Sequence, residues 1–365
     1  LYFVRGAGNP GCVGIYLTYQ FVVYKICTFY GKSVIVKKIL SLWVAAAISF
    51  TPQPPRSKHF KLEELAPGVW AAIQNDKYGH AICNAGIVDL GNKTVVFDPF
   101  MTPEAARDLK KAAEQLTSRK VTLVINSHFH NDHIRGDQVF APLAAFLSTE
   151  WTRNEIYVSE KKEQQWENKN AAASAAAERK KLNTATTPEK LELIMWIGYY
   201  EGIQQSLPEL KITVPDLSFS DTLWIHGSKR DIKLVECEKG HTNSDLVMIL
   251  PKEGIAFMGD LLFVNHHPWL ADGDAENLKQ HLKNFRQDAS LNKYVPGHGP
   301  VAGKVEMQLL ENYITDVQNL VRKGIELQLP DSVIIQKPMP VAYKHWWFGR
   351  FYKPNIQFLC EQMRK

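Results

Sequence analysis

The residues from Phe60 onward read as one continuous α/β domain, and three observations carry that reading. Short alternating or wholly apolar runs bounded by Gly, Asn and Asp recur along both halves of this stretch. Segments with apolar residues at helical spacing stand between and after them. The composition, 45% hydrophobic and 22% charged over 365 residues, is that of a folded chain with a sizeable core, and it excludes disordered, collagen-like and coiled-coil classes.

Taken in order, 68–74, 81–90 and 94–97 are apolar runs split by turn signals and predict a β-meander. Thr102 and Pro103 then open a helix: Thr caps, Pro suits the first turn, and Ala106, Leu109, Ala113 and Leu116 share a face. Val121–Ile125 is short and β-branched, as a buried strand is, and 144–147 is a weaker strand candidate. Residues 150–207 change character. The stretch 151–181 is rich in Ala, Glu, Lys and Gln, and 188–205 is again helix-like, so we read a helical insertion near the rim of the domain, a solvated pair of surface helices. Strands return at 222–225, 232–236, 246–250 and 255–257, and helices follow at 274–286 and 305–321. No internal repeat of fixed period is present.

The net charge of +5 is unevenly placed. Arg5, Lys25, Lys32, Lys37 and Lys38 precede any acid, the first carboxylate being Glu63, and the rest of the chain holds 38 cationic and 38 acidic residues. A neutral body without a basic stripe argues against nucleic acid as a partner. Lys37 and Lys38 lead into the apolar run 39–50, with Ala45-Ala46-Ala47 as an Ala-x-Ala site. That pattern over 36–50 predicts a secretory signal peptide cleaved near Ala47 and a periplasmic or secreted protein. The run falls short of the roughly 20 apolar residues of a spanning helix, so no membrane span is expected in the mature chain. Residues 51–59, rich in Pro, read as a linker. Residues 1–35, which begin with Leu and lack acids, do not fit an export leader. We read them as an extension upstream of the natural start, at Val34 or Val36, with an N-terminal membrane anchor as the alternative. Five scattered cysteines with no CxxC pair give neither a disulfide framework nor a cysteine-built zinc knuckle, and Cys237 is expected in the core.

The chemistry concentrates in Asn126-Ser127-His128-Phe129-His130-Asn131-Asp132-His133, directly after a strand. His128 and His130, two apart, can face one way on a strand exit, while Asp132 and His133 enter the next turn from another direction. Imidazole and carboxylate both suit a borderline ion such as zinc. Two ligand pairs that diverge do not close on one tetrahedral ion, so a second ion is implied. Further candidates sit at Gly-rich strand exits: Gly240-His241 with Asp245 nearby, Gly259-Asp260, and Pro296-Gly297-His298-Gly299. Glycine lets the backbone turn sharply beside a crowded centre. His266 and His267 are candidates for the substrate mouth or a surface loop, whereas His59, His80, His226, His281 and His345 stand outside any ligand pattern.

With these motifs in this order, the chain resembles the metallo-β-lactamase superfamily from about Phe60 to its C-terminus. The resemblance implies an αββα sandwich of the metallo-β-lactamase type, with the helical insertion added and a metal site at one edge. Carried over by position, His128, His130 and His241 would bind a first ion, Asp132, His133 and His298 a second, and Asp260 would bridge them. Asp98, in Val95-Val96-Phe97-Asp98, would orient a ligating imidazole rather than ligate. Two divalent ions per chain, zinc by expectation, would share a hydroxide of lowered pKa, with Asp132 both ligating and orienting it. The function implied is an exported hydrolase of small ester-like substrates. A β-lactamase is the alternative within the fold, disfavoured because Asp260 stands where β-lactamases lack the bridging Asp. A mononuclear iron sulfur dioxygenase and a non-enzymatic metal-binding accessory of an exported redox system are the readings from other classes.

Overall fold

The computed structural model describes residues 15–19, 22–29, 32–37 and 55–364, and the chain divides into two compact units, Leu1–Gln53 and Pro54–Lys365. In the first unit β1 (Ile15–Tyr19), β2 (Val22–Phe29) and β3 (Lys32–Lys37) pair as an antiparallel meander. Residues 1–35, for which an anchor is the alternative reading, thus take in β1, β2 and the first part of β3. The expected signal segment 36–50 lies outside the described residues beyond Lys37, as does 51–54 of the linker.

The second unit opens with β4 (Phe60–Ala66), β5 (Val69–Gln74), β6 (Ala85–Asp89) and β7 (Thr94–Phe97), an antiparallel run. Strand β4 escapes the sequence pattern because a bulge between Glu64 and Ala66 breaks its alternation. Helix α1 (Pro103–Thr117) begins as expected: the Thr102 hydroxyl accepts from the Ala105 N–H at 3.2 Å, and Ser118 ends it in the left-handed region. Strand β8 (Val121–Ile125) pairs parallel to β7. The short turn α2 (Asn131–Ile134) then leads to β9 (Ala145–Thr149), and after α3 (Glu150–Lys181) and α4 (Thr187–Ser206) comes β10 (Leu217–Phe219). Together β4 to β10 make one seven-stranded sheet in the order β10-β9-β8-β7-β6-β5-β4.

The second sheet is β11 (Thr222–Ile225), β12 (Ile232–Glu238), β13 (Ser244–Leu250), β14 (Ile255–Phe263) and β15 (Lys293–His298), neighbours in that order. Helix α5 (Ala275–Gln287), with Asp274 as its cap, crosses from β14 to the parallel β15. Strand β14 extends six residues past its apolar run. It passes Gly259 at φ 51° with two register shifts against β15, an irregularity no alternation pattern announces. Strand β15 contains Pro296-Gly297, which reads as a turn in sequence; the edge of a sheet tolerates it. Helices α6 (Lys304–Glu326), α7 (Asp331–Ile334) and α8 (Tyr352–Met363) complete the chain.

Three apolar clusters hold these layers. Val88, Val95, Phe97, Leu123 and Ile125 of one sheet meet Leu234, Leu246, Met248 and Phe257 of the other. Ala105, Leu109 and Ala113 of α1 cover the outer face of the first sheet. Leu278, Leu282, Leu310, Ile314, Val317 and Leu359 of α5, α6 and α8 cover the second. Each fully buried Val, Leu, Ile, Phe or Met side chain among them contributes roughly 1.5–3 kcal/mol. The architecture is an αββα sandwich with a helical insertion, as expected. Among the described residues no helix is long and apolar enough to cross a membrane.

Candidate metal centre

The sandwich brings all seven expected ligand residues to one place. Strand β8 delivers His128 and His130 at its exit, and α2 turns Asp132 and His133 inward. His241 precedes β13, in a turn closed by Asp245, whose carboxylate accepts from the Thr242 N–H at 3.1 and 3.2 Å. The Leu246 N–H donates to the Ser127 carbonyl at 2.7 Å, tying this turn to the first sheet. Asp260 projects from the irregular part of β14, and His298 ends β15. Two glycines allow the approach: a Cβ at Gly259 would meet the Ser127 side chain, and one at Gly297 would overlap the Asp260 carboxylate.

Two donor sets result, His128, His130, His241 and Asp260, and Asp132, His133 and His298. In the first, His130 Nδ1 lies 3.1 Å from His128 Nε2 and 3.0 Å from His241 Nε2. In the second, Asp132 Oδ2 is 3.4 Å from both His133 Nε2 and His298 Nε2. Asp260 touches both, with Oδ2 at 3.4 Å from His241 Nε2 and 3.3 Å from His298 Nε2, and Oδ1 at 3.2 Å from His133 Nε2. Buried His133 Nε2 and Asp260 Oδ1 have no hydrogen-bond partner among the described residues. Converging imidazole nitrogens and orphaned buried donor atoms fit divalent cations, which would satisfy them together.

The far sides of the imidazoles are held as ligands require. His133 Nδ1 lies 2.9 Å from Asp98 Oδ2, and Asp98 Oδ1 accepts from the Ser127 N–H at 2.7 Å, which places Asp98 on the far side of the His133 ring. His128 Nδ1 meets Ser127 Oγ at 2.8 Å. His241 Nδ1 donates to the Trp269 carbonyl and His298 Nδ1 to the Ile82 carbonyl, each at 2.9 Å. His130 Nε2 meets Asp272 Oδ2 at 3.0 Å, a partner that no motif in the sequence marks. Burial pushes the His241 imidazole down to about 4 and His128 well below its ordinary value, which keeps both neutral and able to ligate. Burial alone would raise the Asp260 carboxyl, but His298 and His133 beside it hold it well below the usual carboxylate range.

His266 and His267 do neither of the things expected of them. Both are buried: His267 Nδ1 meets the Tyr313 hydroxyl and Nε2 the Tyr343 carbonyl, while His266 stacks on Trp347 behind His298. The C-terminal segment, unreadable in sequence, folds over them. Cys237 is buried as expected.

A cavity of about 500 Å³ opens over the centre and exposes His130, Asp132, Asp260 and His298 at its floor. Its walls correct the reading of 150–207 as a solvated helix pair. Glu155, Ser159 and Glu163 of α3 and Trp196, Tyr199 and Tyr200 of α4 line it, opposite Trp269, Phe348, Arg350 and Phe351. Arg350 lies over the Trp196 ring and pairs with Glu178 at 3.0 Å. The sequence reading of 150–207 gave helices but no sign of which side chains face the cavity.

The family model described as the metallo-beta-lactamase superfamily matches residues 78–150, which include Asp98 and the 128–133 motif. No curated relative matches the chain in sequence. Among solved structures, a metallo-beta-lactamase from Pontibacter korlensis is similar at 16% identity and a TM-score of 0.51, covering 70% of this chain and 99% of its own. A metallo-beta-lactamase from Erythrobacter litoralis, solved with beta mercaptoethanol in the active site, is similar at 17% identity and a TM-score of 0.50, covering 72% and 98%. At these identities the likeness is one of fold. Residues 78–150, with the 128–133 motif at the edge of the sandwich, thus match the metallo-β-lactamase superfamily model, and the fold around them is the one these solved metallo-beta-lactamases share.

Proposed function

We propose that this chain is an exported, dinuclear metal-dependent hydrolase of small substrates with an ester-like bond: an ester, thioester, lactone or phosphoester. The observation that carries this reading is Asp260, whose two oxygens stand between the donor sets and reach His241, His133 and His298 at 3.2–3.4 Å. His128, His130 and His241 would hold one ion, Asp132, His133 and His298 the other, and Asp260 both. Bound there, two zinc-type ions would activate water near neutral pH and polarise a carbonyl or phosphoryl group.

The chain's own residues do the rest. Asp132, on the cavity floor, can orient the attacking water and receive its proton. Asp260 would serve both donor sets, and the compact site this implies would suit an oxygen leaving group better than the amide nitrogen of a β-lactam. The aromatic walls from α4 and the C-terminal segment exclude water from the reacting bond and take up an apolar substituent. Asp98, Ser127 and Asp272 fix the imidazoles.

The test joins elemental analysis of chelator-free protein with steady-state kinetics on ester, thioester, lactone, phosphoester and β-lactam substrates. Zinc at the centre and ester-type turnover support the reading. A kcat/KM above about 10⁴ M⁻¹s⁻¹ on β-lactams with no ester-type turnover makes it a β-lactamase. A single iron points to the sulfur dioxygenase, and bound metal without any turnover to the accessory protein. For export, the supporting sequence is Lys37–Ala47; mass spectrometry of the native N-terminus should find cleavage near Ala47, and an intact 37–50 segment in cytosolic protein refutes it.

A further inference from the structure

A second group of potential ligands stands apart from the seven. His59, just before β4, His80, in the loop between β5 and β6, and Glu104, in the first turn of α1, place one donor atom each within 4.8 Å of one another. His80 Nδ1 is 3.1 Å from Glu104 Oε2, His59 Nε2 is 3.7 Å from Glu104 Oε1, and the two imidazoles stack at 5.5 Å. His59 is only 1% exposed, and neither of its ring nitrogens has a hydrogen-bond partner among the described residues. Native interiors rarely leave a buried imidazole with both nitrogens unsatisfied, because its desolvation is then uncompensated. Protonation does not relieve it, because burial lowers the His59 pKa despite Glu104 nearby. We propose that His59, His80 and Glu104 form a separate structural site for one divalent cation of zinc type, two imidazoles and a carboxylate with water in the fourth position.

The donor chemistry is that of a three-ligand zinc site, in which bonds of about 2.0–2.2 Å set ligand atoms a little over 3 Å apart. The His80–Glu104 spacing already meets this, whereas His59 Nε2, 3.7 Å from Glu104 Oε1, would have to move closer. Lys58 Nζ sits 2.9 Å from Glu104 Oε1 and is half-exposed, so it can keep that oxygen while Oε2 turns to the ion, or swing into solvent. The remaining acid nearby, Asp108, is taken by the Ser57 hydroxyl at 2.7 Å.

The position gives the ion a purpose. Beyond His80 the same loop supplies the Ile82 carbonyl that holds His298 Nδ1, the Cys83 thiol that donates to the Asp132 carbonyl at 2.9 Å, and Asn84, whose amide donates to the Pro296 and Gly299 carbonyls at 2.9 and 2.7 Å. An ion at His59, His80 and Glu104 would pin this loop to α1 and to the start of β4, and so steady the backing of the candidate centre.

The experiment counts zinc in the full chain, loaded and then gel-filtered, for the wild type, H80Q and E104Q. Each variant should carry about one zinc fewer than the wild type, and chelated E104Q should gain less thermal stability on adding zinc than chelated wild type. The Glu104 side chain is about half-exposed and His80 is mostly covered, so E104Q reports even if H80Q folds poorly. Equal zinc content in wild type and E104Q overturns the site. The one-zinc decrement is independent of how many ions the seven-residue centre holds, so failure of the hydrolase reading and failure of this one are told apart.

Discussion

Asp98 shows how much one residue behind a metal centre can control. It sits in the left-handed region, at φ 50°, where Asn and Asp are the side chains best tolerated. Replacement by Asn therefore keeps the backbone and the contact with the Ser127 N–H while removing the charge that faces His133. D98N should weaken metal affinity by about 10–100-fold, as changes behind a ligand do. Competition against a chromophoric chelator measures this, and unchanged affinity would remove Asp98 from its role. The same change at Asp272, which meets His130 at 3.0 Å, should weaken binding through the other donor set. Asp98 was readable only through the resemblance, as the acid that ends the apolar strand Val95-Val96-Phe97. Asp272 was not: it lies in a loop between β14 and α5, and its partner is 142 residues away.

At the scale of elements, the insertion is where sequence and structure part. Helix α3 reads as solvated because it is rich in Glu and Lys, yet Glu160 and Glu167 are each only 2% exposed. They face Arg135, the residue after α2: its Nε lies 3.0 Å from Glu160 Oε2, and its guanidinium reaches Glu167 at 2.8 and 3.0 Å. Asn131, at the other end of α2, donates to Glu163 at 2.8 Å and to Glu167 at 3.2 Å. Polar contacts thus clasp α2, with Asp132 and His133 on it, from both ends. A pattern of charged letters cannot distinguish a solvated face from a buried ion network, since the distinguishing partner lies on another element. R135M should destabilise the chain by about 3–5 kcal/mol, because it leaves two carboxylates buried without their cation. Urea unfolding tests this. Replacing Arg135, Glu160 and Glu167 together with apolar residues of similar volume should restore most of the loss. If R135M alone is neutral, the network is not what holds the insertion to the centre.

Over the whole molecule, each donor was visible locally and the pairing between halves was not. The strand exits at 128–133, 240–241, 259–260 and 296–299 each carry Gly or a β-branched run beside a His or Asp, so the candidate ligands could be named from sequence alone. Their convergence depends on the face-to-face packing of the two sheets, through contacts such as Phe97 against Phe257, whose rings lie 5.8 Å apart. That packing has a consequence for stability. The donor sets draw on β8 and α2 from the first sheet and on β13, β14 and β15 from the second, so ions bound between them link both halves of the sandwich. In the unfolded chain these residues are scattered over 170 positions and bind weakly. Each ion bound to the native state alone contributes about 2.7 kcal/mol when its free concentration is 100 times its Kd. Without ions the same packing leaves buried donors such as His133 Nε2 and Asp260 Oδ1 unsatisfied. A chelator should therefore lower the melting temperature by at least about 5 °C, at roughly 2–4 °C per kcal/mol for a unit somewhat smaller than this one. Zinc in excess of the chelator should restore it. The E104Q variant, which spares the seven donors, should keep most of this shift, whereas H128A should lose a large part of it. Superimposable melting curves for chelated and zinc-loaded protein would mean that the two halves are held by apolar packing alone and that the donors form no stabilising metal centre.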